Sequence, residues 1–528
     1  MHPALGIPEI VHEIALAANA RYHNGKTLLA LATTCHTFLD PALNELWCDL
    51  GSFRRWVQCF PDGLFVYEKV LTGDGQDFTV KRPMLASDWE RPLFYAKRVR
   101  RLTYGFFTHS TWPVLHRMVM SLPSGCVFPR LLSLGFPITN EPEELIFLRF
   151  FLPSTLSSVC IHNCGPYFLD ILPTLGQLCP ALRDVTLQVH DMQPDERFVQ
   201  ATSDFIVRLH HLRSLTAPTL NWEALQHLAE LPNLSQLKLQ NLAHIGPSPA
   251  PLPSGFPALR HLNLGYTPLP VATSLLSALR NTELCSLDLQ QYPCPTKRDM
   301  QNFFYTLSSN TSMRTSLADL AFSIVPVRAP DPDDEVGPGI GYVAHDCTPS
   351  CALGDSVLRH LHGFAHLTDV YISMAAPLDI DDNTLLDLAR AWPELQRLTL
   401  NCEQPAPDPE AAAPPVPVFI PKTTLLGLSH FAAHCPDLLS LELSRRIMQR
   451  KLTSLDLSAS PIAQAKIPAI AQFLSGIFPK AYVDGECNES WKEVQVQVER
   501  LLAVRKEEWA WARAATRNTR RRVKAKRD

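Results

Sequence analysis

Fourteen cysteines and nineteen histidines are the residues of this 528-residue chain whose types could hold a metal or build a nucleophile. His345, Cys347 and Cys351 lie close together, as do Cys160 and Cys164, and either group could begin a zinc site. Neither completes a four-ligand pattern at structural spacing, so no metal is expected. Gly337-x-Gly-x-Gly341 lacks the Lys-Ser/Thr that follows a phosphate-binding loop and does not open a helix. No G-x-S-x-G and no H-E-x-x-H occurs. Histidines such as His227, His360 and His366 sit beside leucines in helical phrases and read as surface or satisfied core residues. With no catalytic constellation and no cofactor signature, the chain is read as a non-enzyme whose chemistry is binding.

The elements that would present binding residues are written in a repeated phrase. Leu231 to Leu239, Phe256 to Leu264 and Leu284 to Leu289 each contain L-x-x-L-x-L, and their leading leucines Leu234, Leu259 and Leu284 are 25 residues apart. A fixed period in the twenties with this phrase is the signature of a leucine-rich repeat. Alternating leucines make a short strand with one buried face, and the residues between strands form a helix behind it. No unit buries that face alone, so units stack into a solenoid with one continuous core. Looser phrases start at Val99, Leu131, Leu156, Leu182 and Leu212 before this block, and at Leu317, Leu367, Leu395, Leu438 and Leu452 after it. Leu438 and Leu452 are only 14 apart, which fits an abbreviated last repeat. A proline at positions 129, 180, 232, 257, 393 and 436 precedes the first leucine by two residues, where it would end the preceding helix. The expected fold is therefore α/β, an irregular leucine-rich-repeat solenoid (horseshoe) over residues 99–479.

If the leucines point inward, the residues between them line the concave face. They are Asp184, Thr186, Gln188, Gln236, Lys238, Gln240, His261, Asn263, Asp288, Gln290, Asp369, Tyr371, Ser373, Arg397, Thr399, Asn401, Glu442 and Asp456. Acids outnumber bases there, which favours a basic or hydrogen-bonding protein partner. The residues expected to touch a protein substrate are Asp184, Lys238, His261, Asp288, Asp369, Tyr371, Arg397 and Glu442.

Composition sets the compartment. Apolar residues make up 46% of the chain, enough for a core, and the cysteines fall mostly inside apolar phrases (Cys35, Cys160, Cys179, Cys285, Cys402, Cys435), as in a reduced intracellular protein where Cys acts as a small hydrophobe. No basic leader and no run of 18 apolar residues occurs, so a cytoplasmic or nuclear protein with no membrane contact is expected.

The first fifty residues have a different pattern. Pro8-Glu-Ile10 through Ile14 reads as a helix start. After Asn24-Gly25, a second helical pattern runs Leu28, Leu31, Cys35, Phe38 and Leu39, and Pro41 opens a third with Leu43, Leu46, Trp47 and Leu50. Such a unit is too small to bury much surface alone. Over residues 5–50 it resembles an F-box, on Pro8-Glu9-Ile10, Leu28 to Leu31, Cys35 to Phe38 and Pro41 to Trp47 in that order, and with the repeats that follow, this pairing is similar to fungal-type F-box-like proteins with irregular leucine-rich repeats. The resemblance implies a small three-helix F-box-like domain at residues 1–50 that binds a Skp-type adaptor, and through it a cullin. It also implies a substrate-recruiting role in a cullin-type ubiquitin ligase, with the repeats presenting a protein substrate. The adaptor contacts it implies are Pro8, Ile10, Ile14, Leu31, Phe38 and Trp47. The alternative is a repeat scaffold with no ligase role, its N-terminal helices a cap.

The remaining segments are assigned by composition. Residues 51–98, rich in aromatics, read as a connector, and the polar or Pro/Ala-rich stretches 326–350 and 403–417 as loop insertions. Residues 480–512 read as a capping helix, opened by a Ser490-x-x-Glu493 capping box, with Trp491, Val494, Val498, Leu501 and Trp509 near one face. The tail 513–528 carries eight Arg or Lys and one Asp; this net +7 within a chain total of −4 leaves −11 for residues 1–512. It reads as an import signal, a nucleic-acid contact or a solvated tail, and elsewhere no nucleic-acid partner is expected.

Overall fold

The computed structural model describes residues 2–22, 25–51, 53–69, 76–103, 112–123, 125–137, 148–162, 166–189, 195–246, 252, 254–324, 353–374, 378–402, 422–423, 427–443, 455–456, 467–477, 483–484, 490 and 492–503. The chain divides into two compact units, Met1–Gln240 and Asn241–Asp528.

The first unit starts with α1 (Pro8–Tyr22), α2 (Gly25–Ala32) and α3 (His36–Cys48). Their shared core is small: Val11, Ala15, Leu28, Ala32 and Ala42 are buried. Gly25 starts α2 close against α3, since a Cβ there would come within 3.0 Å of the Leu46 side chain. The expected helix boundaries need correction. The second helix does not reach Phe38, because Thr33 and Thr34 donate their hydroxyls back to the Ala30 and Leu31 carbonyls, at 2.9 and 2.7 Å, where α2 ends. Cys35 is extended, and Pro41 lies inside α3 instead of opening it, at the cost of one backbone hydrogen bond. Leu50 is also not helical. It belongs to β1 (Asp49–Leu50), the first strand of a parallel series.

Between β1 and the next parallel strand, β2 (Phe65–Lys69) and β3 (Gln76–Val80) form an antiparallel hairpin. The segment read as a connector builds an aromatic core together with Phe128. Trp56 packs edge-on to Phe60 and Phe128 and within 6.0 Å of Trp89, and its indole N–H donates to the Pro92 carbonyl at 2.9 Å. It also grips α3: Trp47 stacks on Tyr95 at 4.5 Å, and Arg98 pairs with Asp40 while lying 4.3 Å over the Phe94 ring.

Each leucine phrase from Val99 to Leu212, and Leu234, then supplies a strand. These are β4 (Arg101–Thr103), β5 (Ser133–Pro137), β6 (Ser158–His162), β7 (Asp184–Leu187), β8 (Ser214–Ala217) and β9 (Gln236–Leu239). They pair in chain order, all parallel, with Leu50, Leu102, Leu134, Val159, Val185, Leu215 and Leu237 in one register row. All seven side chains are buried, each contributing roughly 1.5–3 kcal/mol. The strand starts share one device: the Leu132 carbonyl accepts both the Ser157 and Ser158 N–H, and the Arg183 carbonyl both Arg213 and Ser214. Helices return the chain between strands, as at Trp222–Glu230, where the Asn221 side chain caps the Ala224 N–H at 2.9 Å.

The second unit repeats the plan with β10 (His261–Thr267), β11 (Ser286–Gln291), β12 (Asp319–Ile324), β14 (Asp369–Met374), β16 (Arg397–Cys402) and β17 (Ser440–Leu443), parallel in that order. Two short strands, β13 (Leu353–Gly354) and β15 (Leu378–Asp379), pair only with each other. Phe322 is buried between Phe303 and Phe304 of the helix Lys297–Ser309, whose Thr296 and Asp299 form a capping box. Residues 325–352 intervene between β12 and β13, yet β12 and β14 keep their register.

The last phrase departs from expectation. Leu455–Asp456 pairs with Val483–Asp484 and not with β17, so Asp456 lies off the parallel series; fourteen residues are too few to carry a strand, a return helix and the next strand. Residues 492–503 are helical, and Val494 and Val498 are buried. Trp491, Trp509, both insertions and the basic tail lie outside the described residues. Among the described residues, no helix is long and apolar enough to cross a membrane.

Candidate binding surfaces

On the three N-terminal helices, burial and exposure sit side by side. Val11 and Ala15, four apart on α1, face the core, while Ile10 and Ile14 occupy the adjoining stripe. Ile10 is 37% exposed and Ile14 half-buried; on α2, Leu28 is buried and Leu29 is 54% exposed. Ile7 and Leu39 are also exposed. Of the residues expected to contact an adaptor, Pro8 and Ile10 are thus exposed, and Ile14, Leu31 and Phe38 half-buried. Trp47 is half-buried against Tyr95. Leu29 and Ile7 were not among the expected adaptor contacts, although a leucine beside a buried leucine on a short helix must turn about 100° away from it.

The polar face of the parallel strands is the other candidate surface. Strict alternation puts every second residue there, and the register stacks them in rows. In the second unit one row reads His261, Ser286, Asp319, Asp369, Arg397, Ser440; two residues on, a second reads Asn263, Asp288, Ala321, Tyr371, Thr399, Glu442. The structure therefore brings six of the eight expected substrate residues into two adjacent rows. Arg397 pairs with Asp369, which also accepts the Thr368 hydroxyl at 2.9 Å. Asn263 donates its amide to Asp288. Tyr371 is 42% exposed between Ala321 and Thr399. Asp184 and Lys238 lie on β7 and β9 of the first unit, exposed on the corresponding face, beside rows that include Arg101, Ser158 and Thr186. The Glu442 side chain lies outside the described residues.

The electrostatics are less acidic than a residue count suggests. Burial pushes the Asp319 carboxyl above its usual range and the neighbouring Asp369 adds to this, while Arg397 and His261 act in the opposite sense. Asp369 is itself salt-bridged to Arg397. Asp319 was missing from the expected face. The signal was present, since in Leu317-Ala-Asp-Leu320 it holds the same place as Asp369 in its own phrase. Among the described residues no group of three or more His, Cys, Asp or Glu could hold a metal ion; His345, Cys347, Cys351 and Cys164 lie outside them.

No protein-family model and no curated protein matches the chain. Among solved structures, it resembles a chain of the crystal structure of the Rad7 and Elc1 complex in yeast, over 76% of this chain and 73% of that one, with 13% identity and a TM-score of 0.31. Likeness at that level carries no inference about what this chain does.

Proposed function

We propose that the chain is a non-enzymatic, substrate-recruiting subunit of a cullin-type ubiquitin ligase. Its F-box-like helices dock a Skp-type adaptor, and the polar face of its leucine-rich-repeat strands holds a protein substrate. Ubiquitin transfer belongs to other subunits. The observation that carries the first half is the exposure of Ile10 and Leu29 beside the buried Val11 and Leu28. A three-helix unit with so small a core does not turn leucine and isoleucine outward to stabilise itself. An adaptor that covered them would remove roughly 25 cal/mol per Å² of apolar surface from water. Pro8, Ile14, Leu31 and Phe38 would line the rim of that contact, with Trp47 holding α3 to Tyr95. The second half rests on the polar rows around Asp288, Asp369, Tyr371 and Arg397, which suit hydrogen-bonding and charged partners more than apolar ones.

The test is co-purification of a Skp-type adaptor with the full-length chain, wild type and Ile10→Asp/Leu29→Asp. Both side chains are exposed, so the variant is expected to stay folded and lose the adaptor. Adaptor retained by the folded variant, or never bound by the wild type, would leave a repeat scaffold with no ligase role.

A further inference from the structure

On the polar face of the first unit, three side chains from two neighbouring strands meet. The Cys160 Sγ is 3.2 Å from the Nε2 of His162, and the Nδ1 of His162 is 2.6 Å from the Oε1 of Gln188. An amide oxygen only accepts, so Nδ1 carries the proton and donates it to Gln188. That leaves Nε2 with its lone pair towards the thiol. A nucleophile, a base and a group that fixes the base's tautomer are therefore in line. The register explains why they meet: Cys160 and His162 are two apart on β6, so both point to the polar face, and Gln188 follows β7 one rung along. Beside Cys160 in register stand Thr186 on one side and Gly135 on the other. Gly135 places no side chain next to the sulfur, and the thiol is half-buried.

We propose that Cys160, with His162 as its base and Gln188 as a positioning residue, is a thiol–disulfide exchange site for small-molecule disulfides. In the exchange, Nε2 of His162 takes the thiol proton as Sγ attacks one sulfur of the small disulfide. A new Sγ–S bond forms and the original S–S bond breaks. The leaving thiolate recovers the proton from Nε2. The Cys160 thiol is oxidised to a mixed disulfide, and half of the small molecule is reduced to a free thiol. Burial holds the Cys160 thiol above its ordinary range, opposed by a hydrogen bond from Thr186, so the resting group keeps its proton. Attack then needs a base at the moment of reaction, and His162 is placed to be that base. The adduct would stand on the same face as Asp184 and Thr186.

The experiment treats the full-length chain with 4,4′-dithiodipyridine and follows each cysteine peptide by mass spectrometry over time. Cys35, at the N-terminus of α3, serves as the internal reference, because nothing at Cys160 touches it. Its thiol is lowered by the Phe38 backbone N–H, so it should react. In wild type Cys160 is modified, and the ratio of its rate to that of Cys35 should fall by at least about tenfold in His162→Ala. Gln188→Leu should lower the ratio by less, and Gln188→Glu, which keeps an acceptor oxygen, should restore it. An unmodified Cys160 in wild type, or a ratio unchanged by His162→Ala, overturns the proposal.

Discussion

Leu28 is buried and Leu29, the next residue, is 54% exposed, whereas in β12 the side chains of Leu320, Phe322 and Ile324 are all buried and Asp319, Ala321 and Ser323 take the alternate places. The two regions therefore use apolar residues in opposite ways. In the parallel strands they hold the fold together, and what faces out is polar and organised into rows. In the N-terminal helices few side chains reach the core, and isoleucine and leucine are left at the surface. The difference separates residues that keep the chain folded from residues left over for partners. Under the proposed function it corresponds to two kinds of docking: burial of apolar surface at the helices, and charge and hydrogen-bond matching at the strands.

The sharpest way to break this comparison is to cut into each region equally. Phe322→Ala empties a buried site lined by Phe303 and Phe304, and should cost about 3–5 kcal/mol. Leu29→Ala, at an exposed site, should change stability by less than about 0.5 kcal/mol. Urea unfolding of both variants measures the contrast. Similar losses at the two sites would mean that Leu29 is part of a core after all.

The thiols offer a second contrast. Burial pushes Cys179 and Cys435 up to about 12, from an ordinary 9.0, with Cys126 adding to the effect at Cys179. Cys35 is shifted the other way. At about pH 8, iodoacetamide should therefore modify Cys35 while Cys179 and Cys435 stay protected until the chain unfolds. The sign of the pH dependence follows. Below pH 9.0 both folded and unfolded states keep the buried thiols protonated, and their contribution to stability is complete. Above it the unfolded chain releases the protons first, so stability falls as the pH climbs towards about 12. Labelling of Cys179 or Cys435 in the folded chain would contradict this.

Much of this was legible in the sequence, for a physical reason. Alternation is a local property, so every phrase from Val99 to Leu438 announced its strand, and the equal places of Asp369 and Arg397 in their phrases announced a row. Helix ends were harder, because they turn on single hydrogen bonds. The hydroxyls of Thr33 and Thr34 stop α2, and α3 runs through Pro41, neither of which an apolar pattern records. Leu50 was misread because one leucine next to a helix fits either period. The Cys160–His162–Gln188 contact was hidden for another reason. Gln188 is 26 residues from His162, yet it follows Leu182 by six positions, as His162 follows Leu156. Equal offsets from the phrase leucine, and not nearness in sequence, are what placed them together.

The proposed separation of two docking surfaces is tested most directly by a crossed capture experiment on the full-length chain. Ile10→Asp/Leu29→Asp and Asp288→Lys/Asp369→Lys are each confirmed folded by circular dichroism, then used to recover a Skp-type adaptor and a cellular protein partner from the same extract. The expected result is that the helix variant loses the adaptor and keeps the partner, while the strand variant keeps the adaptor and loses the partner. Loss of both by either folded variant, or of neither by both, would contradict the assignment of one surface to each task.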